Sequence, residues 1–178
     1  MNKEWTIVEA LRHARHDFMN DLQLIKGNLA LGKHDRVNDI IKEMIHRAQG
    51  ESALSSCRIP SVAEWILTYN WTSHPIHLEF ELLEGNTAHQ IDEVFLLDLL
   101  VRVVSTIEEH TSYLGENHLL LSIELKEENS RLILDFQGKL EDKASLHDWF
   151  GTFLTQEKVR YELEQFTETE FVLTLLLT

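Results

Sequence analysis

Between Val8 and Leu29 the apolar residues Val8, Leu11, Phe18, Leu22, Ile25 and Leu29 recur in steps of three and four, with Arg15 as the one polar intruder. Alternating steps of three and four lay a single stripe along an α-helix, the seam by which helices pack side by side. Gly32 lies where that helix should end, and Asp35 is placed to cap the next. Val37, Ile41, Met44 and Ala48 continue the spacing, and Ile40 and Ile45 widen the stripe. A join of about three residues makes the two helices antiparallel. Two helices alone cannot cover two apolar stripes this wide. The pattern therefore predicts a helical hairpin over residues 1–58 that pairs with a second copy, giving a homodimer with a four-helix bundle. Burial of the hairpin under the C-terminal half is the alternative.

After Pro60 the period changes. Residues 61–71 read as a helix with Val62, Trp65, Ile66 and Tyr69 on one face, and Ile76, Leu78, Phe80 and Leu82 alternate as a strand does. A strongly apolar helix is predicted over 92–111, strands over 118–125 and 131–136, a short helix near 144–156, and strands near 158–166 and 170–178. Helices with a mostly antiparallel sheet make an α+β sandwich over residues 59–178.

Charge is distributed unevenly. Residues 1–47 hold eight Lys and Arg against seven Asp and Glu, whereas residues 48–178 hold eight against twenty-three. So acidic a C-terminal half repels polyanions, which argues against nucleic-acid binding, while an acidic partner can approach the near-neutral half. No run of 18 apolar residues offers a membrane span, and Glu9 and Arg12 break the N-terminal apolar stretch where a signal peptide would need continuity. The single cysteine, Cys57, forms no internal disulfide, so a reducing cytoplasm is the expected location.

The chemistry is concentrated in HARHDFMNDLQ at 13–23. With about 100° between successive helical residues, His16, Asn20, Gln23, Leu24 and Gly27 share a face displaced from the seam. A glycine inside a helix costs about 1 kcal/mol against alanine, and here it removes bulk where a partner could press in. Four readings compete. A polar outer face needs no function at all. A metal site is poorly served, because His13 and His16 lack the third and fourth ligands zinc requires, Asp17 and Asn20 do not complete the set, and Cys57 is remote. His74 and His77 repeat the spacing but flank Pro75 at the start of a strand. A hydrolytic base lacks a nucleophile motif, since no G-x-S-x-G occurs. The fourth reading is a histidine that is itself modified: a neutral imidazole is nucleophilic near pH 7, and an adjacent carboxylate can hold its other N–H.

His-Asp-x-x-Asn, at His16, Asp17 and Asn20, resembles the phosphoacceptor motif of histidine-kinase dimerisation helices. The segment FLLDLLVRVVS (95–105) resembles the kinase helix that carries an Asn-x-x-x-Asn, but Asp98 and Arg102 stand at those positions, and arginine has only donors. LILDFQGKL (132–140) resembles the strand entering an Asp-x-Gly-x-Gly loop, with Phe136 in place of the Asp, Gly138 retained and Leu140 in place of the second glycine. A phosphate-cradling loop needs backbone N–H groups free of side chains, so the resemblance implies a degenerate kinase ATPase domain without ATP.

HARHDFMNDLQLIKGNLALGKHDRVNDIIKEM (13–44), continuing through ILTYNWTSH (66–74) and GENHLLLSIEL (115–125), is similar to the sporulation initiation phosphotransferases of the endospore phosphorelay in Bacillus-type bacteria. That resemblance implies a dimer accepting a phosphoryl group on His16 from one response-regulator receiver and passing it to a second. Asp17 would orient the ring, and Arg15, Asn20, Gln23, Leu24 and Gly27 would meet the partner. No cofactor would be bound by this chain, Mg²⁺ being supplied on the receiver. Arg15 is equally suited to burial at the bundle seam. A non-catalytic adaptor or kinase inhibitor on the same scaffold is the competing class; it would use the hairpin surface without His16.

Overall fold

The computed structural model describes residues 5–83, 91–126 and 129–177. The chain forms two compact units, which divide between Ser52 and Ala53.

The first unit holds helix α1 (Ile7–Ala30) and most of α2 (His34–Ser55). A capping box starts α1: the Thr6 side chain accepts from the Glu9 backbone N–H, and the Glu9 carboxylate accepts from the Thr6 backbone N–H. The helix stops as Gly32 turns to a φ of +67°, a left-handed conformation that costs glycine little. Three residues join the helices, as the spacing predicted. Asp35 differs from the expectation: it lies inside the first turn of α2, because the helix already begins at His34. An acidic side chain there still favours the positive end of the helix dipole.

Within this unit Val37 and Ile40 are buried, and an ion pair joins Asp21 of α1 to Arg47 of α2. Most of the remaining stripe faces solvent in the single chain: Val8, Leu11, Phe18, Leu22 and Leu29 on α1, and Ile41 and Ile45 on α2, are all exposed. Arg15 is exposed as well.

In the second unit, α3 (Pro60–Thr68) begins with proline in its first turn, where a missing N–H costs nothing, and runs into a 3₁₀ turn at Tyr69–Trp71. Strands β1 (His77–Leu82), β2 (His118–Glu124), β3 (Ser130–Gln137), β4 (Arg160–Glu164) and β5 (Glu170–Leu177) form one sheet in the order β1-β2-β3-β5-β4. The β1–β2 pair is parallel and the other three pairs are antiparallel. Helices α4 (Glu93–Glu109) and α5 (Lys143–Gln156) begin at the side-chain caps Asp92 and Asp142. Thr178, the last residue of the final predicted strand, lies outside the described residues.

Alternation in the strands decides which face is dry. Leu119, Leu121 and Ile123 of β2, Leu132, Leu134 and Phe136 of β3, and Phe171, Leu173 and Leu175 of β5 are fully buried in one core with Leu96, Leu99, Leu100, Val103 and Ile107 of α4. Leu54, near the end of α2, belongs to that same core. The result is the α+β arrangement expected, a helical N-terminal region followed by a five-stranded α/β domain. Among the described residues no helix is long and apolar enough to cross a membrane.

Candidate functional site

Helix α1 carries no proline and no buried residue, so its polar face runs unbroken past His16. The His16 side chain is 70% exposed and that of Asp17 58% exposed. Asp17 Oδ1 lies 3.2 Å from His16 Nδ1, and Asn20 Nδ2 lies 3.3 Å from the same nitrogen. Asn20 is one turn on, at the spacing that brings helical side chains together. Both contacts converge on Nδ1, and among the described residues no other polar group touches the ring. A proton on Nδ1 can be donated to Asp17, which puts the lone pair on Nε2, toward solvent. In that tautomer the Asn20 amide turns its oxygen to the ring; with the proton on Nε2, its nitrogen donates to Nδ1 instead.

His13 has different surroundings. Its ring is half-buried and meets the Trp5 indole edge-on at 5.0 Å. The remaining predicted contact residues, Arg15, Gln23, Leu24 and Gly27, are all exposed. A Cβ built on Gly27 would meet nothing within 4 Å, so packing within the chain does not demand glycine there.

In the second unit the positions that resemble a kinase nucleotide site are occupied by contacts of another kind. Arg102 Nε donates to Asp98 at 3.1 Å across one turn of α4, and the guanidinium sits 5.7 Å from the Phe153 ring centroid. Phe136 is fully buried and stacked on Phe171 at 5.1 Å, and Leu140 is buried. Gly138 is required by packing: a Cβ there would lie 2.4 Å from Asn117 Oδ1 and 2.8 Å from its Cβ. Asn117 is itself buried, donating to the carbonyls of Pro75 and Ser112 and accepting from the Lys139 backbone N–H. Among the described residues no three His, Cys, Asp or Glu side chains converge as a metal cage.

The family profile for the C-terminal domain of sporulation initiation phosphotransferase B matches residues 58–178, and that for the alpha-helical domain of SpoOB-type sensor kinases matches residues 1–57. The chain belongs to the sporulation initiation phosphotransferase B family. A relative with that name from Bacillus subtilis (strain 168) is 38% identical over 144 residues, which cover 80% of this chain and 75% of the relative. Among solved structures, the Acinetobacter baumannii histidine kinase AdeS aligns at 14% identity with a TM-score of 0.46, over 92% of this chain and 97% of that one. A bacterial phosphotransferase aligns at 14% identity with a TM-score of 0.44, over 97% and 98%.

Three features of this family member go beyond the expectations drawn from its sequence. Asn20, expected to meet a partner, also touches the His16 ring; the four-residue spacing is the signal for that contact. The Asn117–Gly138 contact joins residues distant in sequence, and no local pattern announces it. A third group, around Glu108, left no sequence signal either. Its carboxylate accepts from the Tyr69 hydroxyl at 2.5 Å and lies 2.5 Å from His74 Nδ1, and Tyr69 stacks on His74 at 4.1 Å. Burial, and then the Glu108 carboxylate, push the Tyr69 phenol well above its usual range.

Proposed function

We propose that the chain is a phosphorelay phosphotransferase that takes a phosphoryl group from the aspartyl phosphate of one response-regulator receiver onto Nε2 of His16 and returns it to the aspartate of a second. The observation that carries this reading is the convergence of Asp17 and Asn20 on Nδ1 of an exposed imidazole. The Nε2 lone pair attacks phosphorus, a P–N bond forms as the P–O bond to the receiver's carboxylate breaks, and the released carboxylate stays with the receiver. Nδ1 keeps its proton, and the Asp17 carboxylate offsets the positive charge that the ring acquires. Transfer onward reverses the same step. Catalysis of this kind rests on alignment and charge neutralisation, with Mg²⁺ held on the receiver, so little machinery is needed on the histidine side.

The relative from Bacillus subtilis is named a sporulation initiation phosphotransferase, and membership of its family supports a role in the phosphorelay that initiates sporulation. The exposed apolar stripe on α1 and α2 supports a homodimer formed through the hairpin. The Arg102–Asp98 pair and the buried Phe136 support a second domain that binds no ATP.

The test is to incubate the full chain with labelled ATP and, separately, with a phosphorylated receiver. Acid-labile label from the receiver alone, absent in His16→Gln, is the expected result. Label from ATP alone would mean an autokinase, label retained in His16→Gln would mean another acceptor, and no label from either would mean an adaptor.

A further inference from the structure

The parallel pairing of β1 and β2 places His77 directly beside His118. Both are exposed while their neighbours Leu78 and Leu119 are buried, so both rings project from the sheet face opposite the core. The ring centroids are 5.9 Å apart at an interplanar angle of 76°. Together with Pro75, Glu116 and Asn117, the two rings line an open depression of about 370 Å³. Glu79, two residues along β1 on the same face, brings its carboxylate within 3.9 Å of His77 Nε2.

We propose that His77 and His118 form a two-histidine chelate for a divalent transition-metal ion at the edge of the sheet. A metal–nitrogen bond of ~2.0–2.1 Å puts each ring centroid about 3.2 Å from the ion, so two bound rings have centroids about 5.2 Å apart at the tetrahedral angle and about 6 Å at wider angles. The observed separation falls inside that interval, and small side-chain rotations on an exposed strand complete the approach. Imidazole selects zinc, copper or nickel over the hard cations, so the ion is of a different class from the Mg²⁺ expected on a receiver. Two histidines leave the other positions to water. Glu79 is placed to accept a hydrogen bond from a coordinated water or from the ring of His77. Of the other nearby histidines, His74 is engaged at both nitrogens, by Glu108 at Nδ1 and by Thr72 Oγ1 at 2.7 Å from Nε2. The chelate is independent of the phosphotransfer reading and ties an edge strand to its neighbour.

Titration calorimetry of the full chain with Ni²⁺ tests it, alongside His77→Gln, His118→Gln and, as a control for the spaced pair on α1, the double variant His13→Gln/His16→Gln. One saturable event per chain is expected. Losing either ligand should weaken it by at least the ~10–100-fold that losing an outer-shell partner costs, and the α1 variant should leave it unchanged. No saturable binding below about 100 μM, roughly −5.5 kcal/mol, would overturn the proposal. So would binding retained in either strand variant, or lost in the α1 variant.

Discussion

Replacing Gly138 with alanine adds one methyl group at a place where the structure has no room for it. The φ of Gly138 is not positive, so the objection is space and not backbone conformation. The added carbon would meet Asn117 Oδ1 at 2.4 Å, Cβ at 2.8 Å and Cγ at 2.9 Å. Asn117 cannot simply swing aside, because its amide is held at Pro75, Ser112 and Lys139 by hydrogen bonds of 2.8–2.9 Å. Moving it forfeits bonds worth about 1 kcal/mol each, and overpacking of a tight site costs ~1–3 kcal/mol. Gly138→Ala should therefore destabilise the second unit by about 2–4 kcal/mol. Asn117→Ala should cost about as much alone, since it leaves the same backbone groups without their partner. The double variant should cost less than the two summed, because the contacts with Oδ1 and Cγ vanish with the amide and only the 2.8 Å approach to the Cβ at position 117 remains, now free of the hydrogen bonds that hold the side chain in place. Urea unfolding followed by tryptophan fluorescence, with a parallel far-ultraviolet signal to identify the unit that melts, gives the three free energies. An alanine at 138 that costs under about 0.5 kcal/mol, as a surface change does, or a strictly additive cycle, would refute the argument.

Asp17→Asn should slow receiver-dependent labelling of His16 without abolishing it, since an amide still accepts from Nδ1–H but offsets no charge; a rapid-quench time course measures this. Phe136→Ala should cost the second unit about 3–5 kcal/mol, as truncation of a buried aromatic does, read from the shift of its urea midpoint. The Asp142 carboxyl is held below its usual range by the Ser145 hydroxyl and then by the Ser145 backbone N–H. Its contribution to stability is therefore present above the ordinary Asp pKa of about 3.9 and is lost as pH falls through the lower folded value. Asp142→Asn keeps a capping acceptor but does not titrate, so its urea midpoint should fall less than that of the parent chain between pH 5 and pH 3.

Elements whose side chains follow a regular period were legible from the sequence. The three-four stripe of α1 reports a helix, and the alternation of Leu119, Leu121 and Ile123 reports a strand with one dry face, because each period matches one backbone geometry. The exposed face that carries His16 beside Asn20 was legible for a related reason: its polar residues recur at helical spacing apart from the stripe. Asp35 lies two positions past the cap that its sequence context suggests, because helix starts depend on backbone geometry around the join, where several residues compete for the cap. The reason for Gly138 was not legible at all. In the sequence it resembles a remnant of a phosphate loop, and only the fold brings Asn117 against it. Likewise nothing local announces that Glu108 will meet Tyr69 and His74, because the sequence between them carries no trace of how the chain returns.

The strand order has a bearing on how the sheet assembles and what it avoids. Strands β2 and β3, and β4 and β5, are antiparallel neighbours in both chain and space, so each pair closes a short loop. Among the described residues β1 attaches to β2 alone, across a separation of 41 positions marked by the hydrogen bond from Ser122 to Glu81, and the β4–β5 hairpin joins β3 across 33 to 47 positions, from Gln137 beside Glu170 to Ser130 beside Leu177. Closing either longer loop loses more chain entropy before any contact returns it than closing a hairpin does, so the two hairpins form before they join each other and before β1 adds. Both rims of the sheet also carry exposed charge, Glu79 and Glu81 on β1 and Arg160, Glu162 and Glu164 on β4. Charged rims discourage another strand from adding on, so a sheet that waits on two long-range joins is guarded against polymerising edge to edge while they form.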